Sequence, residues 1–314
     1  MFIREALAQG GADLKYAGIK TPGLDASLLL AHVLKKTRTG LLAATTETLS
    51  EEDCEEFCSL IERRASGECA AYITGKKEFR GLEFTVNNSV LVPRPDTETL
   101  VEAALKTINP QKPDKKSRIV AQSITEEKEN DQILNTLCYP EVNKIKILDL
   151  CTGSGAVAIS LKHEIPELEV HASDISKEAL KTAESNAERL LGKNQINFYH
   201  GDLFDALPSS QSLFSLIVSN PPYIPSDVIG TLSEEVRNEP RIALDGGKSG
   251  LEIIERIINK APIFLQDGGT LLLEADPGQM DEIKALLINI GFKDIDLYKD
   301  LSDNQRVISG RYEE

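Results

Sequence analysis

Asn220-Pro221-Pro222-Tyr223 is the run in this 314-residue chain whose residue types best suit a chemical task. Prolines at 221 and 222 hold the backbone and remove two N–H donors, leaving carbonyl oxygens free to accept. The Asn220 side-chain oxygen and the Pro221 carbonyl can therefore grip both hydrogens of a planar NH2 group, with the Tyr223 ring over its plane. An amide or arylamine nitrogen is a poor nucleophile because its lone pair is delocalised. Two acceptors on its protons raise the electron density on nitrogen and aim the lone pair at a methyl group. Orientation and electrostatics of this kind lower a barrier by several kcal/mol. No general base is needed before attack, because the product cation loses its proton readily. The plainer reading of the same residues is a Pro-rich turn that ends a strand.

A second candidate lies upstream, at Asp149-Leu150-Cys151-Thr152-Gly153-Ser154-Gly155. Gly153 and Gly155 permit a tight turn and let a ligand lie against bare backbone. Dinucleotides also use such turns, but the full G-x-G-x-x-G spacing is missing, and Asp149 would repel a pyrophosphate. A cationic sulfonium would instead be attracted by that carboxylate. Asp174 ends the next strand, where a carboxylate can accept both ribose hydroxyls. Gly201-Asp202-Leu203-Phe204 follows the third, where an acceptor and an apolar surface would clamp adenine. Each acid alone reads equally well as a helix cap or a surface charge. Three at successive strand ends favour S-adenosyl-L-methionine.

The elements that must position these residues alternate. Ile145–Leu150, Leu168–Ser173, Asn197–His200 and Leu213–Ser219 read as strands, separated by helices from Gly155 to about His163 and from Ser176 to Leu191. A helix at 250–265 precedes a strand at Thr270–Glu274. A helix at 279–290 precedes end strands near 292–298 and 305–312. This βαβ alternation predicts a doubly wound, mostly parallel sheet with ligands at the carboxyl ends of its strands. Residues 1–75 read as helices, with Asp25 capping one over 25–34 and Ser50 opening another that runs to Ser66. Cys54 and Cys58, one turn apart, are expected to fill the core. Alternation from Glu78 to Val86 and a turn at Asn87-Asn88 into Val90–Val92 predict a hairpin, and Asp96 or Thr97 can cap the helix to Ile108. The expected organisation is a helical domain over 1–75, a hairpin joint over 76–94 and a larger domain over 95–314. Residues 111–143, which begin Gln-Lys-Pro-Asp-Lys-Lys-Ser and include Glu126-Glu-Lys-Glu-Asn-Asp131, are largely polar and read as a surface insertion.

The net charge of −15 opposes a surface that grips nucleic acid through its phosphates. Residues 1–94 hold 12 basic and 13 acidic side chains, and residues 95–314 hold 23 and 37, so the acidity belongs to the larger domain. It reads as solvated helix faces, with an acidic surface drawing a basic partner as the sharper alternative. The five cysteines make no C-x-x-C pair and no zinc-type spacing with the histidines, so no metal is expected. The early charges of Met1-Phe-Ile-Arg-Glu5, the lack of an apolar run and the cysteine pattern together predict a cytoplasmic, reduced protein.

The chain resembles the HemK/PrmC family, the protein N5-glutamine methyltransferases of peptide chain release factors. The resemblance covers nearly everything outside 111–143. It is carried by Asp25-Ala-Ser-Leu-Leu-Leu-Ala-His-Val-Leu34, Ala71-Tyr-Ile-Thr-Gly75, Glu78-Phe-Arg-Gly-Leu-Glu-Phe84, Val92-Pro-Arg-Pro-Asp-Thr-Glu98, Asn220-Pro-Pro-Tyr-Ile-Pro225, Glu239-Pro-Arg-Ile-Ala-Leu-Asp-Gly246 and Asn304-Gln-Arg-Val-Ile-Ser-Gly-Arg311. It implies a Rossmann-like class I methyltransferase sheet joined by the hairpin to a small helical-bundle domain. By resemblance, the cofactor turn is Cys151, Thr152, Gly153, Ser154 and Gly155, with Asp149 beside it. The ribose acceptor is Asp174, and adenine lies at Asp202 and Leu203. Asn220 bridges cofactor and acceptor, while Asn220, Pro221, Pro222 and Tyr223 bind the substrate glutamine.

That glutamine belongs to the release factor's Gly-Gly-Gln loop, and the helical domain is expected to hold the rest of the release factor. The enzyme is expected to act as a monomer. Pro93-Arg94-Pro95-Asp96-Thr97 favours release factors over a ribosomal-protein substrate. Departures from the family pattern are Cys151 where many members have glycine, Glu274-Ala-Asp-Pro-Gly278, and the length of 111–143. The competing function is an N6-adenine or N4-cytosine nucleic-acid methyltransferase, which uses the same four-residue grip; charge argues against it. A non-catalytic cofactor-binding scaffold is the third reading.

Overall fold

The computed structural model describes residues 1–109, 145–209 and 213–314, so the stretch read as an insertion, 111–143, lies outside the described residues. The chain divides into two compact units.

The first unit comprises Met1–Lys77, Thr85–Val92 and Gly230–Arg241. Its helices are α1 (Ile3–Tyr16), α2 (Pro22–Val33), α3 (Arg38–Ala43), α4 (Glu51–Ala65) and α5 (Ala70–Thr74). Ile3, Leu14, Leu29, Leu30, Leu41, Phe57 and Ile61 form its core. Ser50 caps α4 by accepting from the Asp53 N–H at 3.0 Å. Two sequence expectations change here. Cys58 is exposed, and only Cys54 packs partly against the core. Asp25 does not cap α2; Thr21 takes the cap position, and Asp25 lies one turn inside.

Burial explains what Asp25 does instead. Its carboxylate accepts from Thr21 Oγ1 at 3.0 Å and from Arg64 Nε at 2.7 Å. Arg64 reaches onward to Glu235 at 2.8 Å, in the short helix α9 (Glu234–Arg237). The returning segment is also tied by Asn238 Nδ2 to the Gly67 carbonyl and by Glu239, which accepts the Val92 N–H.

The hairpin is β1 (Lys76–Phe79) and β2 (Leu82–Thr85), so its turn is Arg80-Gly81 and not Asn87-Asn88. Arg80 and Gly81 both adopt left-handed φ, +51° and +78°. That is the two-residue turn whose twist matches paired strands. Glu78–Phe84 belongs to the second unit, and there Arg80 pairs with Glu102 and Glu164.

The second unit continues with Pro93–Ile229 and Ile242–Glu314. Pro95–Thr97 form a 3-10 turn into α6 (Glu98–Ile108), and the Thr97 side chain makes no cap bond. Further helices are α7 (Ala156–Glu164), α8 (Lys177–Leu191), α10 (Glu252–Phe264) and α11 (Met280–Ile290). The strands are β3 (Lys146–Leu150), β4 (Glu169–Asp174), β5 (Ile196–His200), β6 (Phe214–Ser219), β7 (Leu265–Glu274), β8 (Lys293–Lys299) and β9 (Gln305–Arg311). They form a seven-stranded sheet in the order β5-β4-β3-β6-β7-β9-β8. Pairing is parallel from β5 to β7, and β9 runs antiparallel to both neighbours.

Leu148, Ile217, Leu271 and Ile308 face a core with Ile254, Ile258, Ile283 and Leu287 of α10 and α11. Their strand neighbours Ile147, Val218, Leu272 and Val307 are also buried. Because strand side chains alternate, both faces are covered, as a parallel sheet requires.

Arg64→Met leaves Asp25 charged, buried and unmatched. It should lower stability by about 3–5 kcal/mol, read as a fall in the urea midpoint with the slope unchanged.

Candidate active site

Parallel register brings the strand ends together. Leu150 pairs with Ser173 on one side and with Ser219 on the other, and Ser219 pairs with Leu273. The turns after β3, β4 and β6 therefore leave one edge of the sheet.

At the first turn, Cys151, Gly153 and Gly155 have φ of +58°, +56° and +81°. Gly155 is required by packing as well: a Cβ there would meet Ile159 Cδ1 at 2.8 Å and Ala183 Cβ at 3.2 Å. At Gly153 a Cβ would point into open space. Asn186 of α8, wholly buried, donates to the Ser154 carbonyl at 3.0 Å and holds the turn from behind. No sequence signal singled out Asn186.

Asp149 is buried and serves the turn internally. It accepts from Thr152 Oγ1 at 2.6 Å and from the Ala158 N–H at 3.2 Å, so it acts as a remote cap for α7. Burial pushes its pKa up to about 7 in spite of both bonds. Asp174 accepts the Gly153 N–H at 2.9 Å and the Ser176 N–H at 2.8 Å, and burial raises its pKa too. A carboxylate has about four lone-pair sites, so hydroxyl donors can still be accepted. Burial also pushes the Cys151 thiol up, so it stays protonated. Asp202 pairs with Arg256 of α10 at 2.6 Å, both sides half-exposed, and Leu203 is buried beside it with φ of +50°.

Asn220 follows β6, and its Nδ2 donates to Thr97 Oγ1 at 3.1 Å. Pro221 is buried, and Tyr223 is partly buried with its hydroxyl pKa raised by burial. Gln279 Nε2 donates to the Tyr223 carbonyl at 2.9 Å. Gly246 lies against this turn so closely that a Cβ would sit 2.8 Å from the Pro222 oxygen and from Tyr223 Cα. The Ile224 N–H donates to the Leu244 carbonyl, and the Gly246 N–H to the Ile224 carbonyl. The run ending at Gly246 thus splints the Asn220–Tyr223 turn.

Glu274, the last residue of β7, is buried, hydrogen-bonded to Thr97, and raised to about 7 chiefly by burial. In the sequence Thr97 stood as a helix cap and within the Val92–Glu98 motif, and Glu274 as part of a motif departure; neither was read as a site residue. Among the described residues no group of His, Cys, Asp and Glu could hold a metal ion, and no helix is long and apolar enough to cross a membrane.

The sheet order, the antiparallel β9 and the glycine turn after β3 define a Rossmann-like, class I S-adenosyl-L-methionine-dependent methyltransferase. The cofactor suits the residues present: open backbone at Gly153, a carboxylate acceptor at Asp174 and a buried carboxylate at Asp149. Residues 5–75 match the model of the PrmC N-terminal domain, and residues 111–231 match the methyltransferase small domain. The release factor glutamine methyltransferase of Escherichia coli (strain K12) is 36% identical over 99% of this chain and 98% of its own length. That of Coxiella burnetii is 38% identical over 93% of this chain and 92% of its own. The chain belongs to the release factor glutamine methyltransferase family. It also matches a bifunctional methyltransferase of Rickettsia prowazekii at 37% identity over 98% of this chain, but spans only 56% of that longer protein.

Because the folded state holds a proton on Asp149 that the unfolded chain loses above its ordinary pKa, this group lowers stability as pH rises from about 4 to about 7. Asp149→Asn keeps an oxygen for Thr152 and Ala158. Its stability relative to the parent should rise across that window and level off above it, measured by urea unfolding at several pH values.

Proposed function

We propose that this chain transfers a methyl group from S-adenosyl-L-methionine to the N5 side-chain nitrogen of the glutamine in the Gly-Gly-Gln loop of a peptide chain release factor. The observation that carries the reading is the orientation of Asn220. Its NH2 is turned toward Thr97, and its Oδ1 makes no hydrogen bond among the described residues. An acceptor is thus presented at the strand end, beside a Pro221 carbonyl in a turn with no N–H at 221 or 222.

When bound, S-adenosyl-L-methionine supplies a methyl carbon on a positively charged sulfur, which a nitrogen lone pair can displace. Asp174 would hold the ribose, Gly153 would lie along the cofactor with Cys151, Thr152, Ser154 and Gly155 shaping the turn, and Asp202 with Leu203 would flank adenine. Asp149 acts at one remove, through the turn, because its Oδ2 is taken up by Thr152 and Ala158. Asn220 Oδ1 and the Pro221 carbonyl accept the two hydrogens of the glutamine amide. This holds the nitrogen in place and counters the delocalisation that weakens it. Pro222 stiffens the turn, and the Tyr223 ring covers the amide plane. The methylated nitrogen then gives its extra proton to water.

In this reading residues 1–75 hold the body of the release factor, 76–94 are the joint and 95–314 carry the chemistry. The enzyme works as a monomer in the cytoplasm, where translation ends, and touches no nucleic acid directly.

Incubation of a release factor with the protein and S-adenosyl-L-methionine should add the mass of one methyl group to the Gly-Gly-Gln glutamine. Asn220→Ala should slow this at least about 100-fold. Asp174→Ala should weaken cofactor binding about 10- to 100-fold by calorimetry, the loss expected for hydrogen bonds to a charged group. Methyl transfer to DNA or RNA and none to the release factor would overturn the reading.

A further inference from the structure

The side-chain amide of Asn220 has two orientations of nearly equal shape. One presents Oδ1 to a substrate N–H, and the other presents NH2, a donor that would repel the glutamine amide. Shape cannot choose between them, so hydrogen bonding must. Thr97 Oγ1, 3.1 Å from Asn220 Nδ2, is the partner, but a hydroxyl can donate or accept and by itself selects neither orientation.

The carboxylate of Glu274 supplies the choice. It ends β7, one residue beyond Leu273, which pairs with Ser219, so it stands level with Asn220 on the neighbouring strand. Its hydrogen-bond partner is Thr97. An ionised carboxylate only accepts, so the single Thr97 proton goes to Glu274 and lone pairs alone face Asn220. Those accept from NH2 and turn Oδ1 outward. We propose that Thr97 and Glu274 are positioning residues for the transfer proposed above, acting as a hydrogen-bond chain that sets the orientation of the Asn220 amide. The inference rests on that reading of Asn220.

The surroundings of Glu274 support a working role. The side chain is 1% exposed, and its Oε2 has no hydrogen-bond partner. An apolar residue would end a buried strand without that desolvation cost. The charged and titratable groups around it are Arg306 of β9, Asp96 and Arg94 before α6, and Tyr223. Arg306 and Arg94 favour the ionised form, and Asp96 opposes it. With burial added, the carboxyl titrates at about 7. Once protonated it can donate to Thr97, which frees the Thr97 proton to face Asn220 and admits the inverted amide. Turnover should therefore fall as pH drops below about 7.

The test compares wild type, Thr97→Val, Thr97→Ser and Glu274→Gln in methylation of an intact release factor from pH 5.5 to 9, with thermal unfolding and cofactor affinity measured for each. Thr97→Val should lower kcat about 10- to 100-fold, as expected for a misoriented reacting group. KM and cofactor affinity should stay within about threefold, and Thr97→Ser should restore most of the loss. Glu274→Gln, whose amide can donate as well as accept, should lower kcat about 10-fold and flatten the acid limb. The inference is overturned if wild type is active and Thr97→Val matches it, if Thr97→Ser fails to rescue, or if the Glu274→Gln profile follows the wild-type limb. Should Thr97→Val not fold, the Glu274→Gln profile decides. Wild-type inactivity toward the release factor overturns the reading of the site itself, and this inference with it.

Discussion

The parallel pairing of β3 between β4 and β6 is the constraint on which the site depends. Parallel strands run the same way, so their carboxyl ends meet at one edge, and the register puts Leu150 opposite both Ser173 and Ser219. A shift of one residue would invert every side chain of a strand across the two buried faces, exchanging residues such as Leu148 and Ile147. The apolar packing that stabilises the sheet therefore also holds the glycine turn, Asp174 and Asn220 at fixed relative heights. Antiparallel β9 then brings Arg306 to the same edge, beside the end of β7.

Around that edge the buried polar groups act in pairs, some of them across long sequence separations. Asp149 caps a helix that starts beyond the turn, Asn186 holds the same turn from α8, and Thr97 links Asn220 with Glu274. Each would be costly to bury alone, and each is offset by a partner, whereas Oε2 of Glu274 and Nε of Arg306 have no hydrogen-bond partner. The helical unit follows the same rule at Arg64, which serves Asp25, Glu235 and the Glu68 carbonyl together.

Much of the sheet was legible because its signals are local. Apolar runs, glycine stops and caps such as Ser50 act within a few residues, so the strands and helices of the larger unit appear close to where the pattern places them. Misreadings occur where a local signal competes with a distant partner. Asp25 stands at the start of an apolar run, as a cap would, but its partner Arg64 lies 39 residues away and draws it inside the helix. Thr97 invites the same reading, and its hydroxyl serves a residue 123 positions later. The hairpin turn was displaced because Asn87-Asn88 is the stronger turn signal, whereas Arg80-Gly81 sits inside unbroken alternation. Arg80 tolerates a left-handed φ there with its side chain paired to Glu102 and Glu164.

By itself, then, the sequence determined which residues end which strands, and hence the glycine turn, the acid after β4 and the four-residue run after β6. Strand periodicity and turn chemistry are short-range, and they place these residues without knowledge of neighbours. Only the tertiary structure decided what each polar group touches. Asp149 faces inward to Thr152 and Ala158, Gly246 splints Pro222 and Tyr223, and the Asn220 amide is turned by Thr97 beside Glu274. The contacts of Gly246 and Asn220 depend on sheet register and packing, which join residues that no local pattern links, and those of Asp149 on the fold of the turn that follows it.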